Sequence, residues 1–518
     1  MRVRNWLLER ARLRGADEAI RFGERRVSFE ELADHSLRDG ERLRRWGVRK
    51  GDLVAVLLPN GIDFVRLLHA VSLCGSRFLA LSTRLTAGEL VTQLRASRAT
   101  HLVHGGGELG VRARAVSGDL PILESAAFED GSLEGAKDRG CRAALDEQID
   151  PGEVFAVLFT SGTSGAPKGV CLTHANLLAS AFAAALHLAL RAEDRWLACL
   201  PLFHIGGLSI LIRNVLLGSP VLIHLRFDPE QVSAAIEGGV THVSLVPTML
   251  GRVLDLRGGR MAPATLRGIL LGGAPAPPGL LERARGLGFP VLPSYGLTEA
   301  CSQVATGAPG DPEMACGEIG SVGRALFGTE IRIADSRGRS LPPGREGEIL
   351  VRGPTVMAGY LGDAGATSSA LRNGWLHTGD VGVLDPTGRL RVLDRRTDLI
   401  VSGGENVSPA EVEAVLSEHP GVAEVGVAGL PDPDLGSRVA AWIVPRSGAE
   451  CRAEELRRFC RSRLAGFKVP RELHFAARLP RNSSGKLLRR RLRELAEGEP
   501  AGQPDRPDRD WSSESFSR

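Results

Sequence analysis

Residues 154–177 read VFAVLFTSGTSGAPKGVCLTHANL. The first seven, six apolar residues and Thr160, make a run of the kind that forms a buried strand. Thr160 to Gly165 are all small or hydroxyl-bearing, and Lys168 and Gly169 follow. Thr173 then stands where its side chain can cap a helix. A strand that passes through such a loop into a helix is one unit of a layered α/β fold. The loop also has the chemistry to hold phosphate. Small residues let backbone N–H groups approach phosphate oxygens, and Thr160, Ser161, Thr163 and Ser164 add hydroxyl donors. Lys168 adds a point charge. This is not a Walker loop, because the glycine required five residues after Gly162 is Pro167.

The same alternation extends on both sides. DLVAVLLP (52–59) and THLVHGG (100–106) read as strands, and FVRLLHAVSLCG (64–75) as a helix. VSLVPT (243–248), GILLGGAP (268–275) and PVLPSYG (290–296) repeat the strand-to-loop unit. From about 318 to 394 the short runs GTEIRIAD, GEILVRG and GRLRVLD, punctuated by Gly and Asp, predict a β-rich subdomain. A boundary falls at 395–398. Beyond it, SPAEVEAVLSEHP predicts a capping box, with Ser408 as N-cap, Pro409 next and Glu411 at the third helical position. The expected architecture is a large N-terminal α/β domain (1–394), a hinge (395–398) and a small, mobile α+β domain (399–497). Residues 498–518 have no apolar periodicity and are expected to be disordered.

Composition narrows the function classes. The 518 residues carry 65 Lys+Arg and 61 Asp+Glu, a formal charge of +4. That is too small to imply a nucleic-acid partner. Only five of the 65 are lysine: Lys50, Lys137, Lys168, Lys468 and Lys486. In a chain that writes positive charge as Arg, each Lys invites a reason. The eight cysteines include no C-x-x-C pair, which argues against a zinc site or a disulfide framework and fits a reducing, cytoplasmic setting. The N-terminus lacks the apolar run of a signal peptide. The apolar stretch Leu177–Leu190 is too short to span a bilayer and reads as a buried helix. GGGELG (105–110) matches a dinucleotide fingerprint, but no helix is expected to start at its last glycine.

The opening stretch resembles the phosphate loop of the adenylate-forming superfamily of acyl-CoA synthetases, luciferases and peptide-synthetase adenylation domains. YGLTEA (295–300), GWLHTGDVG (374–382), DRRTDLIVSGGENVSPAEVE (394–413) and NSSGKLLRR (482–490) follow in that superfamily's order. Together they cover the chain to about residue 495. The resemblance implies ATP, Mg²⁺ and coenzyme A. It assigns Thr160, Ser161, Gly162, Thr163, Ser164, Gly165 and Lys168 to the phosphates, and Thr298 and Glu299 to phosphate and Mg²⁺. Gly272, Gly273, Ala274, Pro275, Ser294 and Tyr295 would form the adenine pocket, with the Tyr295 ring stacking on the base, and Gly296 and Leu297 would also bind the nucleotide. Asp380 and Arg395 would hold the ribose side. Lys486 would reach across from the small domain to the reacting carboxylate and α-phosphate, and Lys468 also stands at a motif position. Thr397 falls at the hinge, where Asp or Lys is commoner. Ser402, Gly403, Gly404 and Glu405 would line the pantetheine tunnel.

The segments 81–90, 201–213, 243–250 and 269–306 resemble ligases that act on o-succinylbenzoate in menaquinone biosynthesis more than fatty-acid or acetate ligases. That acid keeps a second, unactivated carboxylate, for which Arg213 is the candidate cation. His204, Gly296 and Gln303 would complete the acid site. Gly206 and Ser82 stand where Ser and Asn are common. Two other readings are an enzyme for another acid or for loading a carrier protein, and a polyanion-binding protein using the arginines of 489–493. A homo-oligomer is possible; a nucleic-acid or membrane partner is not expected.

Overall fold

The computed structural model describes residues 2–125, 145–160, 167–274, 276, 278–310, 321–395, 399–446, 451–480, 487 and 489–497. A seven-stranded sheet runs in the order Gly359–Tyr360, Lys168–Thr173, Val154–Thr160, Arg77–Ala80, Leu53–Leu57, His101–His104, Ile122–Glu124. Its last five strands are parallel. Helix Ile62–Leu73 is buried at every position but Asp63. One continuous core joins Val54, Val56 and Phe78 of this sheet to Ile20, Trp196, Val221 and Ile223 of a second. That is a layered packing in which the helix is covered on all sides, its one buried cation, Arg66, paired with Asp39.

The second sheet has 14 strands. From Glu18–Phe22 to Val291–Leu297 its strands are parallel. Ser302–Thr306 then folds back antiparallel on Val291–Leu297 and also pairs with Ser321–Ala325. The β-rich stretch therefore extends the parallel sheet instead of forming a sheet of its own. The small domain has five strands, with Gly436–Pro445 central, and helices Pro409–Ser417, Ala453–Arg461 and Arg489–Glu497.

Three local expectations are corrected. Within Leu177–Leu190, helix His174–His187 buries only one face, lined by Leu177, Ala181 and Ala184; Phe182 and Leu186 are 52% and 64% exposed. A helix, Glu108–Ser117, does start inside GGGELG, at Gly107 with φ +62°. A Cβ at Gly106 would lie 2.4 Å from Glu124 Oε1, so a carboxylate stands against this loop and opposes a pyrophosphate there. Helix Pro409–Ser417 starts at the expected residue, but Ser408 makes no side-chain cap and its hydroxyl is buried without a partner among the described residues. Glu411 turns away to Lys468 instead. Among the described residues no helix is long and apolar enough to cross a membrane.

Candidate active site

A cleft of about 490 Å³ opens where several parallel strands of the second sheet end. Leu200 and Pro201 follow Trp196–Ala198, Val246 follows His242–Leu245, Gly272 and Gly273 follow Gly268–Leu271, and Thr298 follows Val291–Leu297; all line it. Ligand sites in open α/β sheets form at such carboxyl ends. The remaining walls come from Thr160, Lys168 and Tyr360 of the first sheet, from Thr378–Asp380 and from the small-domain turn Gly403–Asn406.

On the phosphate side, Thr160 and Lys168 face each other across an antiparallel pair. Ser161, Gly162, Thr163, Ser164 and Gly165 lie outside the described residues. Glu299 sits in a 3₁₀ turn after Val291–Leu297. Its Oε1 accepts a 3.0 Å hydrogen bond from the Tyr360 hydroxyl, and Lys168 Nζ lies 5.1 Å from the Tyr360 ring centroid. Burial, then the Glu299 charge, pushes the Tyr360 hydroxyl well above its usual range, so it stays a neutral donor. Tyr360 was not anticipated; the only signal was a lone Tyr after Gly359 in a chain with two tyrosines. A cleft-lining carboxylate with neighbouring hydroxyls is a hard-oxygen set, which fits Mg²⁺ completed by phosphate and water.

On the nucleotide side, Gly272, Gly273, Ser294, Gly296, Leu297 and Asp380 line the cleft. A Cβ at Gly296 would stand 1.8 Å from Ser302 O, at the bulge where Val291–Leu297 pairs with Ser302–Thr306. Only glycine lets those two chains approach so closely. Tyr295 departs from expectation. It is 7% exposed, belongs to the core and does not line the cleft, so its ring is no free stacking face. Its hydroxyl donates to Asp380 Oδ2 at 2.7 Å, and Thr378 Oγ1 accepts from the Asp380 N–H. Tyr295 thus fixes the carboxylate that the sequence assigned to ribose. Arg395 pairs with Asp380 through the backbone register of their strands. Ala274 does not line the cleft, and Pro275 lies outside the described residues.

On the acid side, His204 stands just before helix Ile205–Leu217 without a side-chain cap bond, and Gly206 and Gly207 of its first turn line the cleft with Ser244 and Gln303. Gln303 Nε2 donates to Thr306 Oγ1, and its Oε1 is buried with no partner among the described residues, an acceptor open to a donor. Arg213 is the main correction. It lies on the same helix but is 2% exposed and absent from the cleft wall. Its guanidinium packs 4.4 Å from the Trp196 ring centroid, and none of its nitrogens has a hydrogen-bond partner among the described residues. Burial pushes its pKa down to about 10. Nine residues after His204, a helix has turned 2.5 times, which puts Arg213 on the opposite, core-facing side. Trp196 Nε1 donates to Ser244 Oγ, so Arg213 reaches the wall only through Trp196.

The small domain contributes a hairpin. Gly403 and Gly404 form its two-residue turn with φ +59° and +84°, between Ile400–Ser402 and Glu405–Val407. Turns of this geometry need positive φ at both centres, which is why the motif carries two glycines. Ser402 is buried and does not line the cleft. The turn delivers Glu405, 4% exposed, to the large domain. Glu405 Oε1 accepts from Arg84 Nη1 at 2.6 Å, and Oε2 lies 3.0 Å from His204 Nε2. Burial alone would raise the Glu405 pKa; His204 and Arg84 together bring it below the ordinary value. Thr397 and Lys486 lie outside the described residues. Of the arginines at 489–493, Arg489 is spent on a two-oxygen bond to Glu413 and on Val427 O, and Arg491 pairs with Glu494. That weakens the polyanion reading.

The model of the AMP-binding enzyme family matches residues 7–361, and that of its C-terminal domain matches residues 411–486. The chain belongs to the AMP-binding enzyme family. It is 42% identical over 494 residues to the 2-succinylbenzoate–CoA ligase of Bacillus cereus, covering 95% of this chain and 98% of that protein. Among solved structures, a double mutant of o-succinylbenzoate CoA synthetase from Bacillus subtilis, bound to a product analogue, superposes with a TM-score of 0.89. The identity is 40%, with 95% of this chain and 99% of that one covered. The same enzyme with its acyl-adenylate intermediate is also 40% identical, covers 95% and 98%, and gives 0.73. Near-equal identity and coverage with unequal superposition mark a difference of conformation within one fold.

Proposed function

We propose that this protein is an ATP-dependent, AMP-forming acid–CoA ligase that converts o-succinylbenzoate to its CoA thioester, the menaquinone-pathway step. The observation that carries this reading is 42% identity along nearly the whole chain to a 2-succinylbenzoate–CoA ligase, combined with a cleft holding Lys168, His204, Thr298, Glu299 and Asp380 together. In the first half-reaction a carboxylate oxygen attacks the α-phosphorus and pyrophosphate leaves. Thr160, Lys168 and Thr298 supply donors to the phosphates. Glu299, held by Tyr360, would hold Mg²⁺, which offsets the triphosphate charge when bound. Lys486 is assigned to stabilise charge in that step. In the second half-reaction the CoA sulfur attacks the acyl carbon, the bond to AMP breaks, and the thiol proton passes to solvent or a base.

Glu405 on His204 and Arg84 supports reading this conformation as the thioester-forming pose. His204 Nε2 is occupied by Glu405, so here it is not free for the incoming carboxylate. The higher superposition on the product-analogue complex agrees with that reading. For the acid's second carboxylate, Ser244 and Gln303 are the polar groups at the wall, and Arg213 lends positive potential from behind Trp196. Free, soluble co-substrates fit a cytoplasmic enzyme with no nucleic-acid or membrane partner. The test is pyrophosphate release with o-succinylbenzoate, benzoate, a medium-chain fatty acid and acetate. Preference for o-succinylbenzoate is expected. Turnover of another acid without it would overturn the substrate while leaving the ligase chemistry.

A further inference from the structure

Lys468 lies outside the cleft, yet it is 6% exposed and holds two carboxylates. Its Nζ donates to Glu411 Oε1 of its own domain at 2.7 Å and to Glu89 Oε1 of the large domain at 2.5 Å. Glu89 is the capping-box residue of helix Ala87–Ser97. Its Oε2 accepts from the Thr86 N–H and hydroxyl, and also from the Ala465 N–H of the small domain at 3.1 Å. One carboxylate therefore closes a helix start and docks the other domain.

We propose that Glu89 and Lys468 form a latch specific to the thioester-forming pose, making both positioning residues for the second half-reaction; this rests on the ligase reading above. The geometry suits a reversible contact. If the small domain swings away, Glu89 keeps Thr86 and Lys468 keeps Glu411, so neither charge is left without a partner. A latch that orphans nothing on opening biases the poses without trapping one. Lys468 pairs with Glu89 across 379 positions of sequence, so the bond reports the arrangement of domains and not local folding. Burial opposes the lysine's charge, but Glu411 and Glu89 outweigh it and raise its pKa, so the cation persists.

The test uses the full chain with Glu89→Gln, Lys468→Met and the double variant. Gln can still close a capping box, so Glu89→Gln removes the charge and leaves the helix start. Each single variant should slow thioester formation from supplied o-succinylbenzoyl-adenylate about tenfold, within the usual range of coupling between sites. Pyrophosphate release in the first half-reaction should change less than about twofold on the same scale. The double variant should be no worse than the poorer single one, as for partners in one contact. Equal loss in both half-reactions, or effects that multiply in the double variant, would overturn the latch. A wild-type enzyme that releases no pyrophosphate with o-succinylbenzoate would instead overturn the substrate reading. If Lys468→Met does not fold, Glu89→Gln and Lys468→Arg, made separately, decide: loss of thioester formation in the first and a smaller loss in the second support the latch, and wild-type thioester rates in Glu89→Gln overturn it.

Discussion

Two helix starts meet at Lys468, and they are built differently. Thr86 and Glu89 make a complete reciprocal capping box in the large domain. Ser408 and Glu411 have the same spacing in the small domain and make none. Both glutamates reach Lys468, but Glu89 does so with its spare oxygen, whereas Glu411 has given up its cap. Pro409 explains part of the difference. It fixes the first helical φ and removes one backbone donor, so that helix start has less to lose. A capping motif thus states what a segment can do locally, and a buried cation decides whether it does.

Four outcomes would break or sharpen that contrast. The largest concerns the other interdomain carboxylate. Glu405→Ala leaves Arg84 and His204 without their small-domain partner, so thioester formation from supplied acyl-adenylate should fall about 10- to 100-fold. Adenylation should hold, and a parallel loss of adenylation would remove the pose assignment. Because the Glu405 pKa lies below the ordinary value, its contact is complete above about pH 4.3 and is lost as pH falls through the depressed value. A Glu405-dependent loss of thioester formation already at pH 6 would contradict this. Next, Lys468→Met leaves Glu89 and Glu411 without their cation and should cost about 3 kcal/mol in denaturant unfolding. A cost near zero would mean the carboxylates are hydrated.

Smaller still, Thr86→Ala should cost about 1 kcal/mol, the ordinary value of a working N-cap. Ser408→Ala should cost less than about 0.5 kcal/mol, because its hydroxyl caps nothing. Equal costs at the two sites would erase the contrast. Last, Arg213→Met replaces a buried guanidinium that packs on Trp196 but makes no hydrogen bond among the described residues by an apolar side chain. Stability should stay level or rise by about 1 kcal/mol, while KM for o-succinylbenzoate rises more than KM for benzoate. An unchanged ratio of the two KM values would reduce Arg213 to packing.

Much of the cleft was legible in the chain because its residues belong to short motifs with a local mechanism. The strand Val154–Thr160, the two-glycine turn at 403–404 and the forced Gly296 are all consequences of neighbours in sequence. The second-sheet members of the site meet because parallel strands of that sheet end together. What failed had its decisive partner far away. Tyr295 looked like a free ring until Asp380, 85 residues on, took its hydroxyl. Tyr360 carried only the signal of its rarity until the fold set it against Glu299.

The sequence by itself determined the alternation of strands and helices, the phosphate loop, the family and the lysines worth testing. Those properties are carried by periodicity, turn chemistry and short spacings, which a linear reading resolves. Tertiary structure alone decided which face of a helix met the cleft and which carboxylate met which cation. It buried Arg213 behind Trp196, drew Glu411 off its cap and joined Lys468 to Glu89 across the domains. Burial and long-range pairing set those outcomes, because a charge taken from water must find a partner wherever the fold supplies one.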